Sequence, residues 1–256
     1  MTNESIDILH VDDNTKFANV TETFLNEVDD RFRIHSETDP TAGFEYLLAN
    51  DVDCVVSDQD MPGSTGIEFL EKVREEYPDL PFILYTGRGS EEVASEAIRV
   101  GVTDYLQKGS GNDNYELLAN RVANAVEQAR TRREAERTRT QMRAIVENTN
   151  DAVVIVDTTS TIQYANPAVE SAVGYAPDEL VGESLTLLMP TRLEKPHVQA
   201  LNRYLETGEK SFDWESVDLV ALHRDGREVP ISISFSEFEQ AGERRFIGVF
   251  SVTSSE

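Results

Sequence analysis

Five polar side chains in the first half of the chain each follow a short apolar segment. They are Asp12, Asp13, Asp58, Thr86 and Lys108. If the segments are parallel strands, these side chains converge at the carboxyl edge of one sheet. Three crowded carboxylates repel one another and need a divalent cation, and an all-oxygen site suits Mg²⁺. A carboxylate beside Mg²⁺ and a lysine can attack phosphorus, with a hydroxyl donating to a phosphoryl oxygen, so the residues predict phosphoryl transfer.

Each of these positions also has a structural interpretation. An Asp after a strand often caps the next helix, and Asp13 could cap a helix that begins near Lys16. A Lys after a strand is usually a solvated charge. The phosphoryl-transfer hypothesis therefore depends on all five positions together.

The first 120 residues alternate between β-rich apolar segments and segments of helical spacing, which predicts the sheet that this chemistry needs. Ile67, Leu70 and Val73, for example, share one face of a predicted helix. Five alternations indicate an α/β, doubly wound parallel sheet of five strands. The predicted strands are Ile6–Val11, Phe32–His35, Cys54–Ser57, Pro81–Tyr85 and Asp104–Leu106.

Four motifs resemble the receiver family of two-component response regulators, over residues 5 to about 128. They are His10-Val11-Asp12-Asp13, the stretch from Ser57 to Gly66, Tyr85-Thr86-Gly87, and the stretch from Asp104 to Gly109. The resemblance implies a flavodoxin-like fold in which a sensor histidine kinase donates a phosphoryl group to Asp58. It also implies that the receiver itself catalyses transfer to Asp58 and later hydrolysis, and the sequence shows no kinase core.

The same resemblance assigns roles to the other residues. Asp12, Asp13 and Asp58 would hold Mg²⁺ together with the backbone carbonyl of Asp60. Lys108 would pair with the phosphoryl group. In the switch, the Thr86 hydroxyl moves to the phosphate and the Tyr105 ring turns inward behind it.

Three positions depart from the family or modify its chemistry. Gly109 stands where the family usually has Pro after the lysine, so we expect a looser loop. Asp60 and Arg88 occupy the two positions that flank the attacking water in this family. We hypothesise that they pair and slow dephosphorylation.

Residues 116–146 contain neither Pro nor Gly and predict a helical signalling linker, which continues the last helix of a receiver at 1–128. Its basic residues include Arg130, Arg132 and Arg133, interspersed with Glu134 and Glu136. We interpret it as a solvated helix and expect no direct DNA binding. Its apolar seam is weak but compatible with a homodimer through the linker or the domain that follows.

Residues 147–256 predict an α+β domain with a five-stranded antiparallel sheet. Features such as Tyr164-Ala165-Asn166-Pro167, Gly174-Tyr175 and His223–Arg227 resemble the PAS family of sensory domains. Such a resemblance identifies a fold better than it identifies a ligand.

The stretch from Met189 to Glu209 resembles the oxygen-sensing haem PAS domains of rhizobial kinases. His197 would then be the iron ligand, and Arg203 would meet a propionate. Many PAS domains without haem share this stretch, and the expected distal Arg falls at Val217. We therefore do not expect haem and leave the ligand open. Flavin photochemistry needs a cysteine in this domain, but the one cysteine is Cys54.

Composition sets the remaining expectations. The net charge of −25, from 48 acidic and 23 basic residues, disfavours nucleic acid and anionic membranes and suggests a halophilic archaeon. The sequence has no signal peptide and no membrane span, so we expect a cytoplasmic protein. Three functions stay open: a response regulator that acts through its PAS domain, a ligand-sensing PAS module that controls the receiver, and a fragment of a longer hybrid kinase.

Overall fold

The computed structural model describes residues 4–87, 91–109, 111–210 and 214–253. The chain divides into two compact units, Met1–Glu136 and Arg137–Glu256.

The first unit is built on a parallel sheet of five strands in the order β2-β1-β3-β4-β5. The strands are continuous apolar runs because helices cover both faces of the sheet. The four residues of β3 are all buried, for example. The elements are β1 (Ile6–Val11), α1 (Thr15–Val28), β2 (Phe32–Glu37), α2 (Pro40–Ala49), β3 (Cys54–Ser57), α3 (Gly66–Glu76), β4 (Phe82–Thr86), α4 (Glu91–Val100) and β5 (Asp104–Gln107).

The loop after β1 differs in one detail from the capping alternative. The N-cap of α1 is Asn14, whose Oδ1 accepts a hydrogen bond from the Phe17 amide at 3.2 Å. Asp12 Oδ1 in turn accepts from the Asn14 amide at 2.9 Å. Asp13 is therefore not the cap, and its carboxylate is exposed beside the sheet edge.

One uninterrupted helix, α5 (Asn112–Asn148), follows β5 and confirms the predicted helical linker. Its first half buries apolar side chains against the sheet, and residues 131–145 are exposed throughout. Arg130 was predicted to be solvated, and this is wrong. Its Nη2 donates to the Ser5 carbonyl at 2.6 Å and to Asp53 Oδ2 at 2.7 Å, which fixes α5 to the amino-terminal edge of β1 and β3.

The second unit contains the predicted antiparallel sheet of five strands, in the order β7-β6-β10-β9-β8. Ala241 and Gly242, both at positive φ, form the two-residue turn between the longest strands. The elements are β6 (Ala152–Asp157), β7 (Ile162–Ala165), α6 (Ala168–Val173), α7 (Pro177–Leu180), a 3₁₀ turn (Leu185–Leu188), α8 (Thr191–Thr207), β8 (Val217–Leu222), β9 (Glu228–Gln240) and β10 (Glu243–Val252).

Candidate functional site

The carboxyl edge of the parallel sheet carries a cluster of three carboxylates. Oxygen atoms of Asp12, Asp13 and Asp58 all lie within 4.8 Å of one another. Asp12 is fully buried and Asp58 is 8% exposed, so little water screens their mutual repulsion. The oxygen-only donor set and its density fit a divalent cation such as Mg²⁺.

Lys108 supplies a positive charge in direct contact with this cluster. Its Nζ atom lies 2.6 Å from Asp12 Oδ2 and 3.1 Å from Asp58 Oδ1. The Lys108 amide donates to the Thr86 carbonyl at 2.7 Å, so the ends of β4 and β5 together hold the lysine at the cluster. At Gly109, the neighbouring Asn114 side chain occupies the space that a Cβ atom would need.

Burial changes the protonation chemistry of the site. Burial raises the pKa of the Asp58 carboxyl above its ordinary value, although Lys108 opposes the shift. His10, on β1, is 1% exposed and its Nε2 lies 3.9 Å from Asp12 Oδ2. Burial lowers the pKa of His10 to about 4, so this imidazole is neutral at pH 7.

The other predicted residues occupy the expected strands. Thr86 ends β4 and is fully buried, and Tyr105 lies on β5 beside Leu84, two residues before Thr86. Asp60 is exposed, and its carboxylate does not belong to the cluster found among the described residues. Arg88 lies outside the described residues, so its pairing with Asp60 stays a prediction.

Sequence reasoning did not single out Phe17. The Lys108 ammonium lies 4.3 Å from the centroid of the Phe17 ring, a cation–π contact. The same ring lies 5.9 Å from Tyr85 and 6.4 Å from Tyr115, which belongs to the first turns of α5. In the sequence, Phe17 has the pattern of any core residue of an amphipathic helix, so no signal distinguishes it.

Comparison with known families identifies both units. The family model described as "Response regulator receiver domain" matches residues 8–122, and "PAS fold" matches residues 140–252. The chain is a response regulator receiver domain followed by a PAS domain.

Curated relatives resemble the receiver. A putative NtrX-like response regulator of Rickettsia bellii is 32% identical over 118 residues, which cover 45% of this chain and 24% of the relative. The transcriptional regulatory protein FixJ of Bradyrhizobium diazoefficiens is 33% identical over 91 residues, or 36% of this chain and 43% of FixJ. The chain thus spans about a quarter of the NtrX-like relatives.

Solved structures also resemble the receiver. A CheY-like receiver domain protein of Methanospirillum hungatei JF-1 is 20% identical, with a TM-score of 0.46, and the match covers 50% of this chain and 99% of that one. Among the residues that the structure describes, no helix has the length and apolarity needed to cross a membrane.

The PAS domain contains a cavity of about 520 Å³ between α8 and the sheet. Tyr204 is the one buried residue of α8, Leu201 and Leu205 pack partly against the core, and Leu193, His197 and Ala200 line the cavity. The walls are mostly apolar side chains such as Val154, Ile231 and Phe246. A cavity of this size and lining is typical of small-molecule sites.

His197, the predicted iron ligand, lines this cavity. Its Nε2 is hydrogen-bonded to Ser160 Oγ at 2.9 Å, and burial lowers the pKa of the imidazole. Iron coordination through Nε2 would have to break this bond. Arg203 also lines the cavity, whereas Val217 does not. The donor set does not favour haem, and the iron-ligand role of His197, which only the resemblance implies, stays untested.

Proposed function

We propose that Asp58 accepts a phosphoryl group from a sensor histidine kinase, and that α5 relays the resulting change to the PAS domain. The observation that carries this proposal is the contact of Lys108 with both Asp12 and Asp58 at an edge where three carboxylates meet. This arrangement offers a nucleophile, a cation site and a fixed positive charge within one small volume.

In the proposed reaction, a carboxylate oxygen of Asp58 attacks the phosphorus of a phosphohistidine on the kinase. A P–O bond forms, the P–N bond breaks, and the imidazole nitrogen keeps the electron pair and takes up a proton. The Lys108 ammonium pairs with the Asp58 carboxylate before transfer and with the negative phosphoryl oxygens after it. In the later hydrolysis, a water oxygen attacks phosphorus, which releases inorganic phosphate and restores the Asp58 carboxylate.

Asp12, Asp13 and Asp58 would hold Mg²⁺, with the Asp60 carbonyl as a further ligand. When bound, the ion neutralises charge on the phosphoryl oxygens. The fit is supported by the excess of carboxylates, since within the described part of the chain Lys108 is the one Lys or Arg in ion-pair contact with this cluster of three. Without a cation, two negative charges at this edge stay uncompensated by that lysine.

The relay is proposed to begin at Thr86 and Tyr105, which lie on neighbouring strands at the site edge. It continues through a linker helix at 116–146, between a receiver at 1–128 and a PAS domain at 147–256. In the PAS unit, Asn166 Nδ2 donates to the Val146 carbonyl at 2.9 Å, in the last turns of α5. This bond offers a physical link between the helix and the PAS sheet.

Phosphorylation by a small phosphodonor tests the proposal. Wild type, Asp58→Asn and Asp60→Asn would be incubated with phosphoramidate and Mg²⁺, and intact-mass spectrometry would count phosphoryl groups. We expect one group on wild type and on Asp60→Asn, because Asp60 is an exposed carboxylate outside the cluster. We expect none on Asp58→Asn. Equal labelling of all three proteins would defeat the proposal.

A second candidate function, ligand sensing by the PAS domain, is favoured by the 520 Å³ cavity. In this case, occupancy of the cavity alters the PAS sheet and, through α5, the receiver. Trp214 is the only tryptophan of the chain and lines the cavity, so its fluorescence reports occupancy directly. A ligand that changes Trp214 emission and also changes the rate of Asp58 phosphorylation would support this function.

A further inference from the structure

The charged side chains that line the PAS cavity all carry the same sign. Arg203 and Lys210 belong to the lining, and no Asp or Glu does among the residues that the structure describes. Acidic residues outnumber basic ones by about two to one in the whole chain, 48 to 23. The cavity therefore has a charge opposite to that of the surrounding protein.

The two cations lie close together in the sequence, and both residues are exposed, so their charges belong to the open end of the cavity. Arg203 precedes the buried Tyr204 near the end of α8, and Lys210 follows the helix within three residues. The Lys210 ammonium lies 4.2 Å from the centroid of the Trp214 ring, against the aromatic wall. Within the described part of the chain, neither cation has an ion-pair partner. Both charges are therefore available to a ligand.

The rest of the cavity is lined mostly by apolar side chains, with polar groups at Gln199 and at the Ser160–His197 pair. Trp214, Tyr204 and Phe246 form an aromatic group with ring centroids 4.8 to 6.2 Å apart. The Ser160–His197 pair is the hydrogen-bonding group that the geometry provides on the side of β6. Aromatic walls favour a flat or bulky apolar ligand, and two exposed cations at the open end of the cavity attract an anionic group.

We propose that the cavity binds an amphipathic organic anion. Its apolar body lies against the sheet and the aromatic group, and its anionic group lies between Arg203 and Lys210. The inference rests on the second candidate function, because it requires the cavity to be a ligand site. The competing explanation is that the two long side chains only cover apolar surface with their stems.

A pair of probes with the same ring system separates these explanations. The anionic probe is 8-anilinonaphthalene-1-sulfonate, and the neutral probe is N-phenyl-1-naphthylamine, which lacks the sulfonate. Binding to the full chain is measured by energy transfer from Trp214, at one fixed ionic strength. We expect wild type to bind the anionic probe about tenfold more tightly, because two charge-assisted contacts hold its sulfonate.

Four variants complete the test. Arg203→Gln with Lys210→Gln should abolish the preference for the anion while affinity for the neutral probe is kept. Lys195→Gln removes an exposed cation of α8 that does not line the cavity, and should behave as wild type. Ala200→Phe fills the cavity from α8 and should weaken both probes, and Ala221→Leu does the same from the sheet.

The outcomes distinguish the two hypotheses. In one outcome, wild type and the Arg203 and Lys210 double variant bind both probes with equal affinity, and the filling variants lose this binding. This result would overturn the anion inference and leave the ligand site intact. Failure of both probes to bind, or binding that neither filling variant reduces, would overturn the cavity as a ligand site and the anion inference with it. If Lys195→Gln removes the preference for the anionic probe as completely as the double variant does, the specific role of Arg203 and Lys210 is also overturned.

Discussion

The ammonium group of Lys108 lies 2.6 Å from Oδ2 of Asp12, a carboxylate with no solvent exposure. Its distance to Asp58 Oδ1 is longer, at 3.1 Å. A buried carboxylate without a partner is strongly destabilising, so Lys108 compensates Asp12 as well as serving the residue that we propose to be phosphorylated. The Lys108 side chain therefore contributes both to the folding stability of the receiver and to the proposed phosphorylation of Asp58.

The first prediction follows from this pairing. Lys108→Met should lower the unfolding free energy of the receiver by about 3 kcal/mol in metal-free buffer, because it leaves a buried charge unpaired. Mg²⁺ should restore more stability to the variant than it adds to wild type. Hydrogen exchange of the β1 and β3 amides measures both effects.

Lys72→Met is the matched control. The Lys72 ammonium lies 4.1 Å from the Phe44 ring centroid, so both lysines contact a phenylalanine, but Lys72 is exposed and forms no ion pair in the described structure. This variant should change stability by less than about 1 kcal/mol, with or without Mg²⁺. Similar losses in the two variants would show that the contact with Asp12 is not the source of the effect.

The second prediction concerns which carboxylates bind the metal. Asp12→Asn should weaken Mg²⁺ binding by at least about tenfold, since it removes a charged oxygen ligand from the cluster. Asp60→Asn should change the affinity little, because its proposed ligand is the backbone carbonyl. Calorimetric titration of Mg²⁺ into each protein measures the difference. If Asp60→Asn loses as much affinity as Asp12→Asn, the assignment of its carbonyl is wrong.

Much of the receiver fold could be predicted because each part of its sequence pattern corresponds to one structural element. Continuous apolar segments become buried parallel strands, and the polar residue after each segment must lie at the carboxyl edge. Arg130 could not be predicted in the same way. The residues that follow it, 131–145, are exposed, and the fold alone brings Ser5 and Asp53 within reach of its guanidinium.

The PAS cavity also could not be predicted from the sequence. The alternation of apolar and polar residues predicts the antiparallel sheet, but it does not give the distance between a helix and that sheet. In α8, Leu193 and Ala200 have the spacing of core residues, yet they line a cavity. Whether a helix packs on a sheet or stands away from it depends on side chains from several distant elements.

The third prediction concerns a close backbone approach behind the phosphoacceptor. A Cβ atom at Gly66 would lie 2.2 Å from the Asp58 carbonyl oxygen, which no rotamer change relieves. Gly66→Ala should therefore destabilise the receiver by about 2 kcal/mol or more and weaken Mg²⁺ binding, because β3 and α3 must separate. Denaturant unfolding and calorimetry measure the two effects.

Gly63→Ala provides the contrast for Gly66. Gly63 has φ of +88° and no atom within 4 Å of an added Cβ, so the cost is backbone strain alone. We expect a loss of about 1 kcal/mol with Mg²⁺ affinity unchanged. Equal loss of Mg²⁺ affinity in both variants would refute the proposed link between the Gly66 contact and the metal site.

The fourth prediction is a pH dependence of the PAS domain. Burial lowers the pKa of His197 below its unfolded value of 6.5, so the unfolded state binds a proton first as pH falls. The stabilisation from neutral His197 is complete above pH 6.5 and is lost as pH falls toward the folded pKa. Urea unfolding followed by Trp214 fluorescence should show this loss in wild type and a smaller one in His197→Gln. An unchanged slope in the variant would exclude His197 as the cause.

The last prediction tests the link between α5 and the PAS sheet. Asn166 is fully buried, and its Nδ2 donates to the carbonyls of Val146 and Asp151, both at 2.9 Å. Its Oδ1 accepts from the Val153 amide at 2.8 Å, so the side chain joins the end of the helix to the start of β6. Asn166→Asp keeps this acceptor but removes both donors, and should cost about 2–3 kcal/mol in PAS stability.

The coupling itself needs a second measurement on the same variant. In wild type, phosphorylation of Asp58 should change hydrogen exchange in β6, because the helix end and the strand share one side chain. In Asn166→Asp, phosphorylation should occur at the wild-type level while the change in β6 is lost. Asn148→Asp is the control, since Asn148 Nδ2 only donates to Ala144 within the helix. A β6 response that survives in Asn166→Asp would mean that the relay reaches the PAS sheet by another route.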